Sequence, residues 1–501
     1  MIKISKSKYT SFVTCPKQFW LTCHKPELAE EIGAGLELRF EQGNEAGEAA
    51  LGLFNGIEIT TVRTQDGKLD IGTMCETTKR LISENCPAIA EAAFSAEGLY
   101  CAVDILKNNG DSSFDIYEVK SSTSCKPIYL YDIAFQRHVL TECGIKVRNS
   151  NLVYINNQYV RNGDIEPEKL FVIEDVSNLL SEFTEDIPKN LAAAQAIYAS
   201  KTEPQTDISE KCNDPYSCAF YPYCAQHIPE KSVFNLYNYR KKFECYRKGI
   251  ISFEDIRKSK LKLNEKQQRQ LDFELDNLPM HINKTKIGEF LNEIKFPIYF
   301  LDFETYQTAL PLYDGLRPYQ QIPFQYSLHI LKNKNDKELE HKEFLADENR
   351  NEWRTLAEQL VEDIPQKGGS VMVYNASFEK TRIKEMAQAF PDLAQRLLAI
   401  NTRMVDLLKV FQNGHIYKRQ MGGSFSIKSV LPALCPDNPD LDYHANEDVQ
   451  NGMAATQAFL SLKNRTETER ARIRKNLLKY CGLDTWAMVV VYRELKNMIT
   501  P

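Results

Sequence analysis

The sequence predicts an α/β protein made of two folded units joined by a helical connector. Three observations carry this. From Phe296 onward the order is strand, strand, strand, helix, strand, helix: PIYFLDF, PFQYSLHIL, HKEFLA, a helix around Glu352–Asp363, VMVYN, then mostly helices. That is the order of a sheet with helices packed on it. Near the start, AEGLYCAVDILK and FDIYEVKSS flank an NNGD turn and read as a hairpin. Between the units the chain is polar and helical in pattern. From Tyr237 to Gln270 it carries eleven Lys/Arg against four Asp/Glu. The expected boundaries are 1–228, 229–290 and 291–501.

The 501 residues, 43% of them hydrophobic, suffice for several cores. No apolar run reaches the length of a membrane helix; AMVVVY near the C-terminus is far too short. MIKISKSKYTSF lacks the apolar block of a signal peptide. A soluble, cytoplasmic protein without membrane contact is expected. The net charge of −6 excludes a uniformly basic nucleic-acid binder, but not a carboxylate-rich nuclease with local basic patches. Thirteen cysteines, an odd number without an export signal, point to buried thiols plus one metal or cluster site rather than a disulfide framework.

In the hairpin, Asp104 is expected at the end of the first strand, with Glu118 and Lys120 alternating onto one face of the second. The two carboxylates can hold Mg²⁺, while the lysine positions a hydroxide and offsets phosphate charge. Gln136, on the helical stretch YLYDIAFQRHVL, is placed to touch this site or a substrate backbone. These residues resemble the PD-(D/E)xK nuclease superfamily, in its RecB-like branch with an iron–sulfur cluster. Asp104 matches that family's metal-binding Asp, Glu118 and Lys120 its ExK, and Gln136 the glutamine of its QxxxY motif. Leu140 stands where the Tyr is usual, and Gly47 where an early metal-binding His falls, with Glu45 or Glu48 as substitutes. The resemblance also covers Cys15 in TCPKQFWL and Cys212, Cys218 and Cys224 in KCNDPYSCAFYPYC. It implies that these four thiolates hold a [4Fe–4S] cluster stapling the two ends of the domain; a Cys₄ Zn²⁺ site is the alternative. Five residues separate Cys212 from Cys218, where the family has CxxC. His24, close to Cys15, is expected on the surface.

In the connector, Lys241, Lys242, Arg247 and Lys248 are interleaved with Tyr237, Tyr239, Phe243 and Tyr246. Such a pattern can track phosphates and stack bases. It fits a solvated helical linker equally well.

In the C-terminal unit, Asp302 and Glu304 alternate on one strand and so share a face. Adjacent carboxylates on a rigid strand repel unless a cation lies between them. Asn375 ends the strand-like stretch VMVYN, and Glu379 begins a helix. Tyr480 and Asp484 are four apart in LLKYCGLDTWAM, one turn apart on a helix face. Carboxylates from three elements can hold two Mg²⁺ or Mn²⁺ ions that activate a water and stabilise a leaving oxygen, with Tyr480 orienting that water. The set resembles the DnaQ-like (DEDD) 3′→5′ exonuclease superfamily, tyrosine-type branch, with its RNase H-like fold. DxE matches Asp302 and Glu304, YxxxD matches Tyr480 and Asp484, and Glu379 stands four after Asn375 where the family has Asp. Asp406 is the fallback fourth ligand. His444 with Asp448 departs by one residue from the histidine-type spacing and is expected to be structural.

The two resemblances together are those of a prokaryotic family that fuses a RecB-like to a DnaQ-like nuclease. They imply metal-dependent phosphodiester hydrolysis, exonucleolytic and with DNA as the expected substrate, in DNA repair, CRISPR-associated processes or antiviral defence. The competing expectation is a partly inactive nucleic-acid-binding subunit of a larger complex. Nucleic acid is the expected partner; the sequence names no protein partner and no oligomeric state.

Overall fold

Strand pairing organises both halves of the chain. The computed structural model describes residues 3–31, 33–54, 56–214, 216–436 and 449–500. His444 and Asp448 lie outside them. The chain forms two units of mixed α/β structure. One comprises Met1–His227 with Thr308–Gln320, the other Ile228–Gln307 with Gln321–Pro501.

The first unit holds a seven-stranded sheet of β1 (Ile4–Ser5), β2 (Ile57–Glu58), β3 (Ala88–Ala96), β4 (Leu99–Asn108), β5 (Ser113–Lys120), β6 (Lys146–Ile155) and β7 (Phe171–Asp175). Its order is β2-β3-β4-β5-β6-β7, with β1 also paired to β4. The hairpin β4–β5 forms around the NNGD turn, but Asp104 lies within β4 rather than at its end. The strand continues because Ile105 and Leu106 are both buried, one on each face of the sheet. One edge of β4 changes partner along its length. Ile105–Asn108 pair with β5, whereas Leu99 and Tyr100 pair with β1. The fork between β5 and β1 opens beside Asp104. Helix Pro127–Glu142 packs nearby, with Ile133, Phe135 and Val139 fully buried. Each such side chain contributes ~1.5–3 kcal/mol of burial energy. Within this unit Arg161 Nη1 donates to the carbonyls of Pro311 and Leu312 at 3.0 and 2.8 Å. Gly163 N donates to Asp314 Oδ1 at 2.8 Å.

The second unit begins with the short helices Lys242–Arg247, Phe253–Ser259 and Glu265–Leu275. They are followed by β8 (Met280–Ile282), which pairs with β14 (Ile416–Lys418). Its main sheet is built from β9 (Ile298–Tyr306), β10 (Ile322–Leu331), β11 (Glu340–Leu345), β12 (Ser370–Val373) and β13 (Met404–Asp406) in the order β11-β10-β9-β12-β13. β10 runs antiparallel to β9 and β11, and β12 runs parallel to β9 and β13. β9 reads as a near-continuous apolar run because both its faces are covered. The C-terminal helix Glu467–Ile499 opens with a Thr466/Glu469 capping box. It buries a stripe at helical spacing through Ile473, Leu477, Cys481, Thr485, Met488, Tyr492 and Leu495, with Tyr480 beside it, and burial widens around Ala487, Val489 and Val491. Among the described residues no helix is long and apolar enough to cross a membrane.

Candidate active sites

In the second unit the carboxylates come from the elements that the spacing indicated: Asp302 and Glu304 from β9, Glu379 from the first turn of helix Ser377–Ala389, Asp484 from the C-terminal helix. β10 is the template that aligns them. Its Gln325 and Ser327 stand opposite Glu304 and Asp302 in the ladder. The same side chains grip the C-terminal helix. Gln325 Nε2 donates to Leu477 O at 2.9 Å, and Ser327 Oγ lies 2.7 Å from Thr485 Oγ1. His329 Nδ1 is 2.8 Å from the same hydroxyl. Tyr480 and Asp484 fall between these two clamps. A bulge between Pro323 and Gln325 shifts the register beside Glu304, where extra twist re-aims a side chain.

The Glu379 turn is fixed separately. Asn375 takes a left-handed φ of 78°, a conformation that Asn tolerates. Its N–H donates to Asp406 Oδ1 at 3.0 Å, and Leu408 N–H donates to the same oxygen at 3.1 Å. Asp406 therefore braces the turn that carries Glu379.

The electrostatics are those of acids forced together. Burial, then Asp484, Glu304 and Glu379, holds the Asp302 carboxyl well above its usual range. Burial and Asp484 push Glu304 up to about 8; burial and Asp406 push Glu379 up to about 8. Glu379 Oε2 is buried with no hydrogen-bond partner. An orphaned carboxylate oxygen and a donor set of hard oxygens fit divalent ions such as Mg²⁺ or Mn²⁺. Ligand atoms of Asp302, Glu304 and Cys481 lie within 4.8 Å of one another. The Cys481 thiol, pushed up by burial, donates to the Asp302 carbonyl at 3.8 Å.

Sequence reasoning missed Lys428. It lies in the first turn of helix Ile427–Leu434, where its ammonium donates to Tyr480 Oη at 3.0 Å and to Gln450 O at 2.8 Å. It also lowers the proton affinity of Glu304.

These shifts set a pH dependence. Unfolded, Glu304 and Glu379 release their protons near 4.5; folded and metal-free, they keep them to about 8. The folded state binds more protons across that window, so stability falls as pH rises from about 4.5 to 8. Thermal melts of the metal-free protein should show this slope. Mn²⁺ should flatten it, as should Glu304→Gln in part.

In the first unit Asp104, Glu118, Lys120 and Gln136 converge, together with two residues the sequence reading did not name. Lys6 Nζ lies 3.2 Å from Asp104 Oδ1 and 3.2 Å from each Glu118 carboxylate oxygen. Lys120 bonds Glu118 and reaches Asp132 Oδ2 at 3.0 Å. Gln136 Nε2 donates to Glu118 Oε2 at 2.6 Å and Asp132 Oδ1 at 3.0 Å. Val119 N–H donates to Asp104 Oδ2 at 2.8 Å. Against the cost of burial, the Lys120 and Lys6 ammoniums hold Glu118 well below the usual carboxylate range. Burial and Glu118 push Asp132 up to about 6. Glu91, at a left-handed φ of 52° in β3, is pushed up to about 7 by burial and Asp104. Glu45 and Glu48 lie on helix Ala34–Leu51, where the acid neighbours of Glu45 are Glu41 and Glu48 rather than the hairpin carboxylates. As it stands this donor set does not fit a divalent ion, because an ammonium fills the seat between the two carboxylates.

Cys15, Cys212, Cys218 and Cys224 are near enough to feel one another's charge. Burial and then electrostatic contact with Cys15 raise Cys212. Cys218 feels both of these, and Cys224, pushed up to about 11 mainly by burial, feels the other three. Among the described residues the group of three or more metal-ligating side chains whose ligand atoms lie within 4.8 Å of one another is Asp302, Glu304 and Cys481, and these four thiols are not part of such a group. His24 Nε2 lies 2.9 Å from Tyr198 O, and the ring stacks on Trp20.

Lys241, Arg247 and Lys248 are exposed, and Lys248 pairs with Glu244 at 2.7 Å. The interleaved aromatics are used in packing. Phe243 is buried against Phe234, Tyr239 packs on the core of Val233, Leu236, Cys245 and Phe253, and Tyr237 meets Phe425 edge-on.

Residues 299–426 match a family described as a domain of unknown function (DUF2779), a stretch that includes Asp302, Glu304 and Glu379 but neither Tyr480 nor Asp484. The "Uncharacterized protein MG366 homolog" of Mycoplasma pneumoniae is 32% identical over 219 residues, 40% of this chain and 32% of that protein. The "Uncharacterized protein MG366" of Mycoplasma genitalium is 27% identical over 227 residues, 42% of this chain and 33% of that protein. The chain thus spans about a third of the length of the curated relatives it matches. Among solved structures, an alkaline exonuclease (LHK-Exo) from Laribacter hongkongensis aligns at 13% identity over 39% of this chain and 88% of that one. Its TM-score is 0.22, too low to carry an argument about fold or activity.

Proposed function

We propose that the chain is a metal-dependent nuclease whose catalytic centre is the carboxylate cluster of the second unit. One observation carries the reading. Ligand atoms of Asp302 and Glu304 lie within 4.8 Å of each other, Asp302 feels Asp484, Glu304 and Glu379 together, and the buried Glu379 Oε2 has no hydrogen-bond partner. The strand order β11-β10-β9-β12-β13, with its single antiparallel β10 between β9 and β11, supports the DnaQ-like, RNase H-like assignment. Divalent ions bound by the four carboxylates would supply an activated water and stabilise the leaving oxygen. The protein's own residues do the rest. Tyr480, kept protonated by burial and the neighbouring acids, accepts from Lys428 and retains its phenolic hydrogen to orient a water. Lys428 offsets part of the charge on Glu304.

The test is hydrolysis of end-labelled single- and double-stranded DNA and RNA by the purified full chain with Mn²⁺ or Mg²⁺. Metal-dependent shortening from one end is expected, with DNA preferred. No cleavage of any of the four substrates overturns the reading.

The same reading assigns a [4Fe–4S] cluster to Cys15, Cys212, Cys218 and Cys224, with Zn²⁺ as the alternative. Anaerobically purified protein should carry about four iron and four sulfide per chain. One zinc instead replaces the cluster assignment, and neither metal removes it. For the first unit's RecB-like pocket, the position of Lys6 between Asp104 and Glu118 favours nucleic-acid binding without hydrolysis as a second reading.

A further inference from the structure

We propose that Lys6 is the resident counter-ion of the first unit's pocket: its ammonium takes the seat between Asp104 and Glu118, and a divalent cation enters only when Lys6 is displaced. This pocket's chemistry is independent of the second unit's.

The backbone fixes the lysine there. β1 places Ile4 and Ser5 against Leu99 and Tyr100 of β4, with Ile4 fully buried. Ser5 then caps helix Lys6–Thr14 by accepting from Lys8 N–H at 3.3 Å, which makes Lys6 the first helical residue. The chain therefore enters the fork of β4 directly beside Asp104. A cation in the first turn of a helix faces the positive end of the macrodipole, which disfavours it. The carboxylates offset that cost.

The charges reinforce the geometry. Asp104, Glu118 and Asp132 bring three negative charges, and Lys6 and Lys120 two positive ones. The pocket is then nearly balanced without any ion. With its ammonium 3.2 Å from both Asp104 and Glu118, Lys6 fills the seat a divalent cation would need, and a cation replacing it would be set with Lys120 against the three carboxylates. The seat can thus hold the ammonium or the metal, but not both. Lys428 in the second unit is oriented differently, toward a phenol oxygen and a backbone carbonyl.

The test titrates Mn²⁺ into the full chain by electron paramagnetic resonance, in an Asp302→Asn/Asp484→Asn background that silences the second unit. With Lys6 present, no binding that depends on Asp104 is expected. Lys6→Met should gain one Mn²⁺ site, at least tenfold tighter than any Asp104-dependent binding before it, and Asp104→Asn should abolish that gain. Mn²⁺ should also raise the melting temperature of Lys6→Met and not that of its parent. If the parent already binds a Mn²⁺ that Asp104→Asn removes, or folded Lys6→Met gains none, the proposal is overturned. If Lys6→Met does not fold, Lys6→Gln takes its place with the same criteria, and the parent titration alone still decides against the proposal when Asp104-dependent Mn²⁺ is found.

Discussion

Replacing Asp302 with asparagine is expected to abolish Mn²⁺-dependent cleavage while making the metal-free protein more heat-stable. The two effects have one origin. Asp302 feels Asp484, Glu304 and Glu379 together, so its charge is the most opposed of the cluster. On the proposed reading that charge becomes an ion ligand once metal is bound. Losing it forfeits several kcal/mol of charge stabilisation, a rate loss of about a thousandfold or more. In the metal-free fold the same charge is a liability, and the amide relieves it. Each kcal/mol recovered raises the melting temperature by ~2–4 °C in a unit of roughly this size. Parallel cleavage assays and thermal melts check both halves. Cleavage at the parent rate would remove Asp302 from the catalytic centre. A lower melting temperature would show that its charge is already compensated without metal.

The second large effect is on stability in the first unit. Glu118 is 2% exposed and accepts from Lys6, Lys120 and Gln136 at once. Glu118→Leu leaves two ammoniums and an amide facing a hydrocarbon side chain. Removing one partner from a buried ion-pair network costs ~3–5 kcal/mol. Urea unfolding should show a loss of that size, and adding Lys6→Met to Glu118→Leu should recover part of it, since the two residues are coupled. A loss within the ~0.5 kcal/mol of an ordinary surface substitution would mean that the network does not exist in solution.

Local spacing made much of this legible. A two-residue strand period puts Asp302 beside Glu304, and a four-residue helical period puts Tyr480 beside Asp484, whatever the rest of the chain does. The carboxyls' partners were harder to see because they arrive from distant elements. Lys6 and Lys428 share a signal that was available: each is a lysine in the first turn of a helix, the end that disfavours a cation. Asp132 was one helical turn before Gln136, at the i,i+4 spacing already used for Tyr480 and Asp484. Gln325 and Ser327 were polar residues inside an otherwise apolar strand, a pattern that asks for buried partners. The connector's aromatics show the limit of composition. A run of Tyr and Phe among lysines is the same string whether the rings stack bases or, as Phe243 does, fill a core.

The strip Thr308–Gln320 bears on how the protein can be taken apart. In chain order it lies between β9 and β10, yet it belongs to the first unit, where Pro311 and Leu312 receive the Arg161 guanidinium. A gene truncated after His227 would encode that unit with Arg161 stripped of both acceptors. Anyone wishing to assay the halves apart should graft the strip back, or nick the intact protein on both sides of it, before concluding that either half is inert.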